Sequence, residues 1–442
     1  MRPASGAGSW RRAMVARSPD EEHRNATVLE LFFDLCFLVA VAQASAGLHQ
    51  AVSDGHLSDG VLGYVLVFFA IWWAWMNFTW FASAYDPDDL AHRLTTLVQI
   101  AGALILAAGV PRAMDRRDFG VTTVGYVVMR LAMVTQWLRA AHSDPPRRRC
   151  CLRYAAGITL LQLGWVGLLA GAHQRWALAA FALLAVGELA VPVWAERAAP
   201  TTWHPHHIAE RYGLFTMIVL GESVLAATLA VQSALDAEVA AVHTRLATIA
   251  SGGLLTVFAM WWLYFATDAG RLLGSLRAAI TWGYGHYLIF ASAAAVGAGL
   301  AVTVDAAVGH ARIGERAAGA AFTVPVALFV LTVWALQLRP TRRAAGTARW
   351  LPLPRSPCSR PPSPPSRCCS PAWLWPPWSP LAWQILVPNR PAGRGRATRG
   401  DGHLLLRRVL SQEVGRTDVQ ASPASGSLAG RPVALSSSGE VL

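Results

Sequence analysis

The chain has 442 residues, 54% of them hydrophobic and only 14% charged, with a mean hydropathy of +0.36. That balance excludes a set of soluble domains and points to a polytopic membrane protein. The formal charge of +12 is no nucleic-acid signal, because it is localised: residues 1–338 hold 23 Arg against 22 acids, and residues 339–442 hold 15 Arg against 4.

Residues 1–24 are polar and Arg-containing, and read as a cytoplasmic N-terminal segment. The first apolar run carries two acids and lacks a small-residue cleavage site, so it reads as a retained helix rather than a removable signal. Apolar segments of spanning length follow at about 28–48, 61–82, 94–111, 119–141, 152–172, 176–194, 208–231, 246–266, 280–303 and 318–338. The expected fold is therefore all-α, a bundle of about ten membrane spans. Placing both ends of the domain inside puts most loop arginines, among them Arg11, Arg12, Arg93, Arg139 and Arg147 to Arg149, on the cytoplasmic face of the membrane. Trp72, Trp73 and Trp75, and later Trp261, Trp262 and Tyr264, lie toward segment ends, where aromatic rings form interfacial belts; stacking on a ligand is the alternative.

The first span, ELFFDLCFLVAVAQ, sets Glu30 and Asp34 one turn apart on one face. Two carboxylates this close repel, and in a poorly solvated site one of them becomes able to carry a proton; pairing with arginines at the cytoplasmic interface is the alternative. After the second span, YDPDDLAHR reads as a turn and helix start capped by Asp88 or Asp89, while Asp86, Asp88 and Asp89 together could offer oxygens to a divalent cation. Arg130 and Glu188 are further intramembrane charges, and Arg130 needs an acid from among Glu30, Asp34, Glu188 and Glu222.

The stretch WHPHHIAERYGLFTMIVLGESVLAATLAV at 203–231 concentrates polar groups at the mouth of a span. If its helix begins near Ile208, Arg211 and Glu222 return to within about 20° of one face and could form a buried pair. His204, His206, His207 and Glu210 suggest a helix entry and proton relay, interfacial packing, or a weak metal site; HPHH lacks the i, i+4 spacing of helical zinc motifs, and Pro205 favours an extended entry. The metal assignment is thus unknown. Cys36 lies in a span, Cys150 and Cys151 fall in a loop, and neither a disulfide framework nor a metal spacing follows. No cofactor motif, phosphate loop or nucleophile elbow appears in residues 1–338, and no catalytic residue is assigned.

From Arg339 onward 16 of the 26 Pro occur, in runs such as PLPRSPCSRPPSPPSRCCSPAW. Prolines at that density cannot sit inside a regular helix. Residues 339–442 read either as a disordered basic tail or as the product of a frameshift in GC-rich coding sequence.

Four stretches carry a family resemblance: VLELFFDLCFLVAVAQAS at 28–45, YDPDDLAHRLTTLVQIAGALILAAGVPRA at 85–113, YVVMRLAMVTQWLRAA at 126–141 and HPHHIAERYGLFTMIVLGESVLAAT at 204–228. With WWLYF at 261–265, the chain resembles the bacterial low-temperature-requirement A family over about residues 25–338. The resemblance implies an integral membrane protein whose members typically continue with hydrophobic spans where this chain turns Pro- and Arg-rich. Three functions are then open. One is a secondary transporter or ion-conducting protein whose partners are the bilayer and a proton or small ion, using Glu30, Asp34, Arg130, Arg211 and Glu222. Another is a membrane-embedded enzyme acting on a lipid or isoprenoid through His204 to Glu210 and Asp86 to Asp89. The last is a non-catalytic membrane-integrity or stress protein. Nucleic acid is not an expected partner, and the sequence leaves the oligomeric state open.

Overall fold

The computed structural model describes residues 10–17, 25–171, 174–235 and 240–341, all within the unit Met1–Pro364. Of the tail read at 339–442, residues 339–341 are not disordered but continue the last helical span; the rest of it and most of the segment 1–24 lie outside the described residues. Among them are ten long helices and no strand: α1 (Val28–Ser53), α2 (Leu57–Ala84), α3 (Leu90–Arg116), α4 (Gly120–Ser143), α5 (Arg148–Gly171), α6 (Gln174–Glu196), α7 (Pro205–Leu235), α8 (Ala240–Tyr264), α9 (Leu276–Val308) and α10 (Glu315–Val333). They match the ten apolar segments read from the sequence, each extended by about a turn of polar residues at one or both ends. Nine described helices are long and apolar enough to cross a bilayer. The exception, α4, carries Arg130, Gln136 and Arg139 and is held between α3 and α5.

Helix starts follow local chemistry. Thr27 caps α1 in a reciprocal box: its Oγ1 accepts the Glu30 N–H at 3.3 Å while its own N–H donates to Glu30 Oε2 at 2.7 Å. Asp89 caps α3 through the His92 N–H at 2.8 Å, as the turn reading expects. Ser275 caps α9, and Gly309, at φ +81°, ends it in the left-handed conformation that favours glycine.

In the bundle, α1, α2 and α9 form the centre, α7 lies beside α9 and α8, and α3 packs on α4. Aliphatic side chains on the outer faces of α5 and α6, such as Leu160, Leu163, Leu183 and Val186, are exposed, as a lipid-facing surface requires. Where lipid is as apolar as leucine, close backbone packing and polar contacts hold helices together. At the α3–α4 crossing, a Cβ on Gly125 would collide with the backbone of Leu106 and Gly102, and one on Gly109 with the backbone of Thr122. Gly125→Leu is expected to force these helices apart at a cost of about 1–3 kcal/mol or more. Thermal unfolding in detergent, compared with Gly171→Leu, where a Cβ meets nothing within 4 Å, checks it.

The aromatic belt expected at 72–75 is corrected by the fold. Trp72, Trp73 and Trp75 are buried inside α2, at 2%, 0% and 0% exposure: the indole N–H groups of Trp73 and Trp75 reach Glu188 and Asp34 across the bundle, and Trp72 packs on Tyr284 and Tyr287. Trp261 and Trp262 are exposed near the end of α8, whereas Tyr264 turns inward. Cys150 and Cys151 lie not in a loop but in the first turn of α5, buried.

Candidate functional site

At the end of the bundle where α1 and α7 begin, two i, i+4 pairs interlock. Glu30 and Asp34 project from α1, and His207 and Arg211 from α7, all buried. Arg211 reaches both acids: Nη2 donates to Asp34 Oδ1 at 2.6 Å, and Nη1 lies 3.0 Å from Glu30 Oε1, an ion pair that is off the hydrogen-bond direction. His207 Nε2 is 3.2 Å from the same Glu30 oxygen. The indole N–H of Trp75 donates to Asp34 Oδ1 at 2.7 Å, while Asp34 Oδ2 has no hydrogen-bond partner. Phe78, stacked on Phe33, lies under the guanidinium with its ring centre 6.0 Å from Arg211 Cζ. Two carboxylates thus share one arginine in a site sealed from solvent.

The sequence expectation that Arg211 pairs with Glu222 is overturned. Residues eleven apart on a helix share a face but are separated by about 16 Å along the axis, beyond the reach of the two side chains. Glu222 is half-buried further along α7 and makes no ion pair among the described residues. The extended entry expected at Pro205 is also corrected, since Pro205 is the first residue of α7, where its missing N–H costs nothing. His204 precedes it, its Nδ1 accepting the His207 N–H at 3.2 Å. His206 is exposed, 4.0 Å from Asp268. Glu210 accepts the backbone N–H of Ala26 and lines an open groove with Asp268. So HPHHIAE does not converge as one cluster: only His207 joins the buried site. Among the described residues no group of three or more His, Cys, Asp or Glu is placed to hold a metal ion.

A second buried pair forms where α4 meets α6. Arg130 Nη2 donates to Glu188 Oε2 at 2.8 Å, the partner that the sequence offered as one of four. Glu188 accepts four more hydrogen bonds, from Trp73 Nε1 (2.9 Å), Tyr126 OH (2.9 Å), Gln162 Nε2 (3.2 Å) and Trp165 Nε1 (3.3 Å). One arginine against one fully satisfied carboxylate is neutral, with Arg130 Nε and Nη1 left without a hydrogen-bond partner. Helix α2 therefore serves both sites, Trp73 to Glu188 and Trp75 to Asp34.

The loop acids hold the ends of the helices rather than a cation. Asp89 accepts the Arg12 N–H at 2.6 Å and pairs with Arg139, Asp86 meets Arg17 at 3.2 Å, and Asp88, at φ +44°, meets Arg93. Burial opposes ionisation of Asp89, but the N–H groups of Arg12 and His92 and the Arg139 guanidinium outweigh it and hold the carboxyl below its usual range. Residues 10–17 are thereby fastened across the α2–α3 turn. Sequence reading did not single out His286, which is fully buried: its Nδ1 lies 2.7 Å from the Trp282 carbonyl and its Nε2 3.0 Å from Tyr264 OH, which fits a neutral ring donating to the first and accepting from the second. The only sequence signal was a histidine within an apolar span.

A bundle with nine described helices long and apolar enough to cross a bilayer, aliphatic side chains on its outer faces and its charged clusters sealed inside defines a multi-pass integral membrane protein. A family model described as bacterial low temperature requirement A protein (LtrA) matches residues 25–355, and the chain belongs to that family. It is also similar to an uncharacterized protein of Rhizobium meliloti (strain 1021), 27% identical over 281 residues that make up 60% of this chain. Those residues span 64% of the relative's length. No solved structure matches the chain.

Proposed function

We propose that this protein is a secondary transporter or conductor of protons or small cations in the bacterial cytoplasmic membrane, with Glu30, Asp34, His207 and Arg211 as its binding site. One observation carries this reading: two buried carboxylates face a single buried arginine. With His207 neutral, the cluster holds one uncompensated negative charge, and an isolated charge in a low-dielectric interior costs many kcal/mol. A proton on His207 or Asp34, or a small cation in its place, removes that cost. Losing it recreates the excess charge, which is tolerated only if water or another cation reaches the site. Occupancy is therefore linked to opening, the coupling on which alternating access rests. His207, beside Glu30 at the start of α7, is the group placed to pass the proton toward the end of the bundle that the arginine distribution assigns to the cytoplasm.

The structural reading applies better to Arg130 and Glu188, where charges balance and every carboxylate lone pair is engaged. The two sites predict different behaviour. In liposomes with an imposed pH gradient and an internal pH dye, wild-type protein is expected to collapse the gradient. Asp34→Asn, which removes the excess charge, is expected to slow this at least tenfold while the protein remains folded and monodisperse. Replacing external sodium and potassium with an impermeant cation separates proton from cation movement. Equal gradient decay in empty liposomes and in those holding either protein would overturn the reading.

A further inference from the structure

Of the six buried carboxylates among the described residues, five meet an arginine: Glu30, Asp34, Asp89, Asp144 and Glu188. Glu196 is the exception. At 5% exposure it accepts hydrogen bonds only from neutral donors: Tyr154 OH at 2.9 Å, Thr201 Oγ1 at 2.8 Å, the Thr201 N–H at 2.8 Å, and more distantly Cys150 Sγ at 4.0 Å. Arg147, just before α5, is near enough for its charge to act on Glu196 but makes no ion pair with it: its Nη1 lies 3.2 Å from Asp144 and its Nε donates to the Pro200 carbonyl at 3.1 Å. A buried anion without a cation is costly unless something supplies the positive charge.

Glu196 lines a cavity at the end of the bundle where α7 begins. Its other walls include Trp80, Trp137, Tyr154, Trp203 and Tyr284. Trp80 and Trp203 meet at 60° with ring centres 5.3 Å apart, forming a corner. The Trp80 N–H is tied to Tyr212 OH at 3.0 Å, which fixes the ring without using its π face. The cavity volume of about 40 Å³ is room for about three waters. Of the oxygens that line it, Tyr154 OH and Thr201 Oγ1 are committed to Glu196 and Tyr284 OH to the Leu189 carbonyl, so a calcium or magnesium ion would lack its shell of six or more. Electron-rich rings around one carboxylate instead suit a cation of low charge density, stabilised by ring faces and by the anion together.

We propose that this cavity binds a small organic ammonium ion, a methylated amine or the trimethylammonium end of a larger molecule, with Glu196 as counter-ion and Trp80 and Trp203 as its aromatic walls. The site shares no residue with the Glu30 cluster and does not depend on the transport reading. The neutral hydrogen bonds from Tyr154 and Thr201 hold the carboxylate in place before the ligand arrives, so little ordering is left for binding.

Calorimetric titration of the full chain in maltoside detergent, at constant chloride, tests this with tetramethylammonium and methylammonium as probes. Saturable binding of at least one is expected, unaffected by sodium and absent for tert-butanol, a neutral molecule of similar shape. Glu196→Gln is expected to weaken it at least tenfold, and Trp203→Leu severalfold with Glu196 intact. Competition by a short-chain phosphatidylcholine would identify a lipid headgroup as the source of the ammonium; its failure would identify a free amine. No saturable binding of either probe, equal binding of tert-butanol, or undiminished affinity in Glu196→Gln would overturn the proposal. Where Glu196→Gln does not fold, the wild-type comparison with tert-butanol and the Trp203→Leu titration decide.

Discussion

Arg130→Met is expected to eliminate most folded protein. The substitution preserves side-chain bulk but leaves Glu188 as an unpaired buried anion, and breaking a buried pair from one side costs about 3–5 kcal/mol. The four neutral donors from Trp73, Tyr126, Gln162 and Trp165 remain, so the loss is set by the missing positive charge rather than by hydrogen bonds. Glu188→Gln alone strands the arginine and is expected to be comparably harmful. Combining Arg130→Met with Glu188→Gln removes both charges, and is expected to recover most of the stability. Thermal melts of the four proteins in one detergent check this. A double variant as unstable as the sum of the single ones would mean that the pair is not coupled, and would contradict the 2.8 Å contact between them.

The bundle was legible because its physical cause is local. Each span is a run of apolar residues long enough for the bilayer, bounded by caps such as Thr27, Asp89 and Ser275 that need only neighbouring residues. The charged residues were equally visible, since an intramembrane Glu or Arg stands out against leucine and alanine. Their partners were not. Helical periodicity gives the direction in which a side chain leaves its own helix, and says nothing about which helix lies opposite. Hence Arg211 and Glu222 look like a pair in projection, whereas Arg211 in fact crosses to Glu30 and Asp34 on α1, more than 170 residues away in sequence. The spacing of His207 and Arg211, one turn apart like Glu30 and Asp34, was the available clue. Trp73 and Trp75 were read as interfacial for a related reason: an indole in an apolar run is ambiguous until its N–H finds an acceptor.

Around Arg211 the order of effects is expected to differ from that at Arg130, because the charges are unequal. Removing the arginine leaves Glu30 and Asp34 facing each other without compensation, so Arg211→Met is expected to cost more than Arg130→Met and to melt at the lowest temperature of these variants. Asp34→Asn acts in the opposite sense. Its side-chain oxygen can still accept from Trp75 Nε1 and Arg211 Nη2, and the new amide replaces the Oδ2 atom that has no hydrogen-bond partner. What remains is one carboxylate, Glu30, against one arginine, a neutral pair that needs no bound proton. Asp34→Asn is therefore expected to melt at or above the wild-type temperature at pH 8, where the wild-type cluster must hold its proton against a lower proton concentration, and to show a flatter dependence of melting temperature on pH between 6 and 8. Melting curves for wild type, Asp34→Asn and Arg211→Met across that range, together with the combination Arg211→Met and Asp34→Asn, separate the contributions. If Asp34→Asn is as damaging as Arg211→Met at every pH, the cluster has no excess charge to relieve, and the case for a proton or cation site at Asp34 fails with it.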